Sequence, residues 1–127
     1  MNDRIRILVG YDHSLQSKKA LKEAITIAQH FSGFIKVVTV YGREKEKAEA
    51  TILEAEQNLE KEKVAHESLL VLGSNPAKAL VTMAKQENFD LIAVGSRGLG
   101  RKVSMLLGSV SKQVVSNAYC SVLVVKK

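Results

Sequence analysis

Two stretches of this 127-residue chain hold residue types whose spacing suits an anionic ligand. The longer runs Gly95-Ser96-Arg97-Gly98-Leu99-Gly100-Arg101-Lys102 and, after a short apolar interval, closes on Gly108-Ser109-Val110-Ser111. Three glycines within six positions let a backbone come close to a ligand. A helix starting near Ser109 would present unpaired N–H groups and the positive end of its dipole. Arg97, Arg101 and Lys102 add cations able to make charge-assisted contacts with a phosphate. The shorter stretch is Tyr11-Asp12-His13-Ser14, directly after an apolar run. Taken alone, Asp12 reads as a turn or capping residue; the glycine segment makes it a candidate ligand group.

Several known chemistries are excluded by mismatch. A Walker loop needs a lysine followed by Ser or Thr after its second glycine, and here Gly100 leads into Arg101, Lys102 and Val103. The dinucleotide fingerprint would need a third glycine at position 103, and it normally follows a first strand rather than a fourth. A phosphorelay receiver needs an aspartate after its third strand, where this chain has Gly73-Ser74-Asn75. His13, His30 and His66 are widely spaced and Cys120 is the single cysteine, so neither a metal triad nor a CxxC redox motif is present. Cys120 reads as a small core residue.

These residues need a scaffold, and the hydrophobic pattern predicts one. Strands are expected at Ile5–Gly10, Ile35–Tyr41, Glu67–Leu72, Asp90–Val94 and Val122–Val125. Between them lie four helical stripes. Ala20, Leu21, Ala24, Ile25 and Ala28 share one face of the first, with Ser14 or Ser17 placed to cap its start and Gly33 just beyond its end. Ala48, Ile52, Ala55 and Leu59 mark the second, inside a stretch dense in Glu and Lys that reads as a solvated face. Pro76 suits the first turn of a third helix carrying Ala77, Leu80, Val81 and Ala84. Leu107, Val110, Val114 and Ala118 form the fourth stripe. Strict alternation of strands and helices demands a parallel sheet covered on both faces, since crossovers are right-handed. The fold class is therefore a single α/β domain over 1–127 with a five-stranded parallel sheet and four helices. In such sheets ligands bind beyond the carboxyl ends of the strands, where Asp12 and the glycine segment would lie.

Composition agrees. The chain is 46% hydrophobic and 25% charged, as a folded soluble domain is. Charges at Asp3, Arg4 and Arg6 predict neither a signal peptide nor an anchor, and no apolar window is long enough to span a membrane. With no Trp and only 5% aromatics, stacking platforms for nucleic acid are not expected. The net charge of +6 is unevenly spread: the last 37 residues hold six Lys or Arg and no acid. The basic excess thus surrounds the glycine segment.

Gly95, Gly98, Gly108 and Ser109 fit the pattern G-x2-G-x9-G-[S/T], which resembles the nucleotide-binding signature of the universal stress protein family. Asp12, Ser14, Ser17, Ala20, Leu21 and Ala24 resemble the family's segment after strand one. DLIAVGSRG resembles its fourth strand and turn, and CSVLVVKK its last strand. The resemblance covers nearly the whole chain apart from the helix around 43–63. It implies a strand order of 3-2-1-4-5 and a homodimer paired through the fifth strand, here 122–125. It also implies ATP, or ADP or AMP, bound with Mg or Mn between strands one and four. By the same resemblance Asp12 would contact ribose and the Val40 backbone adenine; Gly95, Gly98, Gly108, Ser109 and Val110 would line ribose and phosphates. Tyr11 and Ser111 belong to the same nucleotide-binding set, with Arg97 and Arg101 as phosphate partners. Tyr11 and His13 depart from the family's commonest residues, His13 replacing a frequent glycine, which implies a reshaped adenine pocket.

The expected function is that of a cytoplasmic ATP-binding stress-response regulator that switches conformation or an as yet unknown protein partner, with no nucleic acid or membrane partner. The alternative is a dimeric interaction module of the same fold that binds no nucleotide. Asp12 is the single acid at the expected site, too little for dedicated phosphoryl transfer. Slow hydrolysis or self-phosphorylation at Ser109 or Ser111 stays open by the resemblance.

Overall fold

The apolar run after Ile5 becomes strand β1 (Arg6–Gly10) of the computed structural model, which describes residues 4–96 and 108–126. Helix α1 (Leu15–Phe31), strand β2 (Phe34–Tyr41), helix α2 (Lys45–Lys61), strand β3 (Ala65–Leu72) and helix α3 (Pro76–Gln86) follow. Strand β4 (Leu91–Gly95), helix α4 (Ser109–Asn117) and strand β5 (Ser121–Val125) complete the described elements. All strands pair in parallel in the order β3-β2-β1-β4-β5, as expected. The sheet therefore grows outward in one direction from β1 to β3 and in the other from β4 to β5. The carboxyl ends of β1 and β4 flank the point of reversal, where diverging connections leave a crevice.

The period-two pattern of the strands divides the core in two. Ile7, Val9, Ile35, Val37 and Ala93 face α1 and α2, packing with Leu21, Ala24, Ile25, Ile52, Ala55 and Leu59. Leu8, Val38, Ile92 and Val94 face α3 and α4, packing with Ala77, Leu80, Ala84 and Val114. The central strands are buried on both sides, so their sequences read as continuous apolar runs. Each fully buried Leu or Ile contributes about 1.5–3 kcal/mol relative to exposure. Val114 holds α4, and with it the second half of the glycine segment, against the sheet.

The ends of α1 sharpen the sequence reading. Ser14 is the cap, its hydroxyl accepting from the Ser17 N–H at 3.1 Å, while the Ser17 hydroxyl donates back to the Ser14 carbonyl at 3.1 Å. At the other end the left-handed position is taken by Ser32, with φ 50° and ψ 43°, rather than by Gly33. Gly33 has a different duty: a Cβ there would stand 2.5 Å from Ile5 Cγ2 and 2.8 Å from the Ile5 carbonyl oxygen. It lets the α1–β2 connection pass against the start of β1. Strand β3 starts at Ala65, two residues before the expected Glu67, because Ala65 and His66 pair with Phe34 and Ile35. Leu107, expected on the α4 stripe, lies outside the described residues.

Candidate functional site

The turn between β1 and α1 is built from its own polar groups. The Tyr11 N–H donates to the Val38 carbonyl at 2.9 Å, and the Tyr11 carbonyl accepts from the Thr39 hydroxyl at 2.8 Å, extending the sheet by one residue. Asp12 then turns the chain. Its N–H donates to the Ser17 hydroxyl at 3.2 Å, and its Oδ1 accepts from the Ser14 N–H at 3.0 Å. The carboxylate is exposed yet fixed in direction, the arrangement a short Asx turn provides.

Two concavities meet at this turn. The inner one, of about 100 Å³, is lined by Gly10, Tyr11, Asp12 and Val40, by Pro76 and Leu80 of α3, and by Gly95 and Val110. The outer one, of about 690 Å³, lies toward α2 and is lined by Asp12, His13, Thr39, Val40, Arg43, Lys47 and Glu54 among others. Asp12 and Val40 belong to both walls. The structure thus brings together Tyr11, Asp12, Val40, Gly95 and Val110, five expected site residues drawn from four segments.

Gly108 and Ser109 form the start of α4 beside them. The Gly108 N–H donates to the Ser96 carbonyl at 2.7 Å, which ties the helix start to the end of β4, and no side chain caps the helix there. Ser109 is exposed. Ser111 sits differently from Ser109: its hydroxyl is fully buried and donates to the carbonyls of Ser96 at 3.1 Å and Gly108 at 3.0 Å. That hydroxyl is spent on holding the helix start in place. Gly95 likewise has a packing duty, since a Cβ there would lie 2.6 Å from Gln16 Cβ and 2.7–2.8 Å from the backbone of Gln16 and Ser17. Arg97, Gly98 and Arg101 lie outside the described residues.

A universal stress protein family model matches residues 4–126, nearly the full chain. The chain belongs to the universal stress protein family. Among relatives of this universal stress protein, one from Thermus aquaticus, the universal stress protein in the QAH/OAS sulfhydrylase 3′ region, is 35% identical over 136 residues, covering 94% of this chain and 97% of its own. The fold closely matches that of the solved protein MJ0577, with a TM-score of 0.87 at 24% identity over 99% of this chain and 98% of that one. A universal stress protein solved in complex with cAMP superposes with a TM-score of 0.80 at 26% identity, covering 98% of each chain.

One group of this universal stress protein's site was not foreseen. The Glu and Lys of α2 read as a solvated face, but Glu54 points to the β1–α1 turn. Its Oε1 accepts a short hydrogen bond from the Tyr11 hydroxyl, lies 3.2 Å from His13 Nδ1, and is 3.8 Å from Lys18 Nζ. The hydrogen bond from Tyr11 holds the Glu54 carboxyl below its ordinary range, despite partial burial. Burial, followed by the hydrogen bond and charge of Glu54, pushes the Tyr11 phenol well above its ordinary value. The only sequence hint was position: Glu54 adjoins the buried Ala55 and stands two residues from Ile52.

A raised phenol pKa means that the folded state favours the neutral form. Its stabilisation is fully present below the unfolded tyrosine pKa of about 10 and is lost as pH rises through the folded value. An ultraviolet titration is therefore expected to show one of the three tyrosines ionising only as the protein unfolds in alkali. The Tyr11→Phe variant should lack that step; an unchanged titration would mean that another tyrosine is the late one.

Proposed function

We propose that this universal stress protein is an ATP-binding regulator, of the branch that carries the glycine signature, with the nucleotide held between the ends of β1 and β4. The observation that carries this reading is the convergence of Asp12, Val40 and Val110 on one crevice beside the α4 start. Asp12 offers an acceptor to the ribose hydroxyls, and the Val40 backbone lies at the end of β2 for the base. Gly95, Gly98, Gly108 and Ser109 surround ribose and phosphates, with the Val110 N–H directed to a phosphate oxygen and Ser111 keeping the helix start in register. Arg97 and Arg101 supply positive charge to the same chain of phosphates. The relative in complex with cAMP supports an adenine nucleotide as the ligand class.

Among the described residues no three His, Cys, Asp or Glu side chains converge into a metal-binding group. A Mg or Mn ion would be held here through the phosphates, with no direct protein ligand assigned, and would there neutralise phosphate charge. The protein's own residues bind and orient, and nothing in the described site positions an attacking nucleophile. Nucleotide state thus serves as a conformational or partner switch in the cytoplasm. The outer edge of β5, which pairs on one side with β4, is the proposed homodimer seam.

A second reading, a dimeric interaction module without nucleotide, is favoured by the small inner volume of about 100 Å³, below the 300–1,000 Å³ usual for ligand pockets. A thermal melt separates the two. With protein freed of co-purified nucleotide, ATP and magnesium at a hundredfold excess over Kd should add about 2.7 kcal/mol of stability. A Tm unmoved by millimolar ATP and magnesium would leave the interaction module as the surviving reading.

A further inference from the structure

The geometry points to Glu54 as a positioning residue of the nucleotide site: one carboxylate oxygen clamps both neighbours of Asp12 and so sets the direction in which Asp12 meets its ligand. The inference rests on the nucleotide-binding reading above and extends the site to α2, a helix that holds none of the glycine-signature or strand-end residues assigned to it.

Three observations carry it. First, Tyr11 and His13 flank Asp12, and both reach the same atom, Glu54 Oε1, with Lys18 of α1 as a third neighbour. Secondly, His13 has a φ of 69°. The left-handed region is sparsely occupied by residues with a Cβ and persists where surroundings hold it; the contact with Glu54 is such a hold. Thirdly, Glu54 and Asp12 line the same outer concavity, and Tyr11 and Asp12 the same inner one. Moving Tyr11 or His13 therefore moves a wall of one concavity or the other along with the Asp12 carboxylate. The hydrogen bonds local to the turn, Asp12 Oδ1 with the Ser14 N–H and the Asp12 N–H with Ser17, fix the turn within itself. Among the contacts described, those of Glu54 fix the turn relative to α2.

The consequence is a long-range tie in which a single carboxylate joins the ligand-facing turn to a helix packed on β2 and β3. Removing the carboxylate leaves the buried stripe of α2, Ala48, Ile52, Ala55 and Leu59, untouched. The fold should survive while the turn loosens. Glycine adopts a φ near 69° without a Cβ penalty, so replacing His13 by glycine removes the need for part of the clamp.

The test titrates ATP with magnesium by calorimetry into wild type, Glu54→Ala, His13→Gly and the double variant, with amide hydrogen exchange on each protein free of nucleotide. Glu54→Ala should bind ATP about tenfold more weakly, as expected for the loss of the Tyr11 hydroxyl's hydrogen bond to a charged group. The double variant should recover most of that loss, and Glu54→Gln, which keeps an acceptor for Tyr11, should fall between. Without nucleotide, the Asp12 and Ser14 amides should exchange about tenfold faster in Glu54→Ala while the Ala24 amide in mid-α1 is unchanged. Wild-type ATP affinity in Glu54→Ala, or no recovery in the double variant, overturns the clamp. If Glu54→Ala does not fold, Glu54→Gln carries both measurements. If wild type binds no ATP, the nucleotide reading falls alone, and unchanged exchange at Asp12 and Ser14 is then the result that overturns the clamp.

Discussion

Gly95→Val is expected to cost about 1–3 kcal/mol of folding stability with no ligand present, the usual penalty for forcing extra methyls into a packed site. Strand β4 ends against the first turn of α1 so closely that even a Cβ would stand 2.6 Å from Gln16 Cβ and 2.7 Å from the Gln16 carbonyl carbon. Two of the three nearest atoms belong to the backbone of α1, which cannot swing aside as a side chain can. The helix would have to lift, and its buried residues Ala20, Leu21 and Ala24 are held to the sheet. Gly10 provides the contrast: a Cβ there meets Leu80 Cδ1 at 2.8 Å, the movable end of a side chain, so Gly10→Ala should be milder. Thermal unfolding reads the difference, at roughly 4 °C of Tm for each kcal/mol in a domain of this size. A Gly95→Val protein as stable as wild type would show that α1 and β4 are not in such close contact.

Gly98→Asp should weaken ATP binding by at least about a hundredfold, or about 2.7 kcal/mol, and leave the ligand-free Tm unchanged. The expectation comes from the spacing of Gly95, Gly98, Gly108 and Ser109. A carboxylate at the second glycine would add both bulk and negative charge where the phosphates are expected. Two like charges about 4 Å apart repel by about 4 kcal/mol at an effective dielectric constant of 20, so the repulsion alone is large enough. Calorimetric titration with ATP and magnesium measures it. Retained affinity would show that this segment is not the phosphate cradle, and an altered ligand-free Tm would show that Gly98 serves the fold instead. Together the two substitutions separate the packing that Gly95 permits from the affinity expected of Gly98.

Much of this architecture was legible because each element satisfies a local rule. Ser14 caps α1 through the Ser17 N–H, Pro76 opens α3, and the stripes Ala20 to Ala28 and Ala48 to Leu59 are the residues buried. The strand order followed from the family resemblance, and the pairing agrees with it. Less legible were features that depend on what lies across a gap. Ser111 belongs by resemblance to the nucleotide-binding set, and what the sequence does not show is that its hydroxyl is buried against the Ser96 and Gly108 carbonyls. Glu54 and Glu56 resembled their solvated neighbours on α2, but Glu54 reaches Tyr11 and His13, and Glu56 accepts from the Ser68 hydroxyl. Lys36, in the middle of an apolar strand, is buried with Glu87 at 3.0 Å and Glu67 at 3.3 Å beside it, a pairing that no local pattern announces.

The order of residue types along the chain dictates the alternation of strands and helices, the faces they bury, and the presence of a glycine-spaced segment in a basic region. Those properties depend on side-chain periodicity and on charges counted along the chain, both of which are local. Packing in the folded chain settles which residues meet at the carboxyl ends of β1 and β4, how tightly Gly95 abuts the backbone of α1, and that one carboxylate of α2 holds both neighbours of Asp12. Such contacts join residues 41 to 43 positions apart in the case of Glu54. Their geometry is set by how closely helices seat on the sheet, a quantity that belongs to packing and has no periodicity to read.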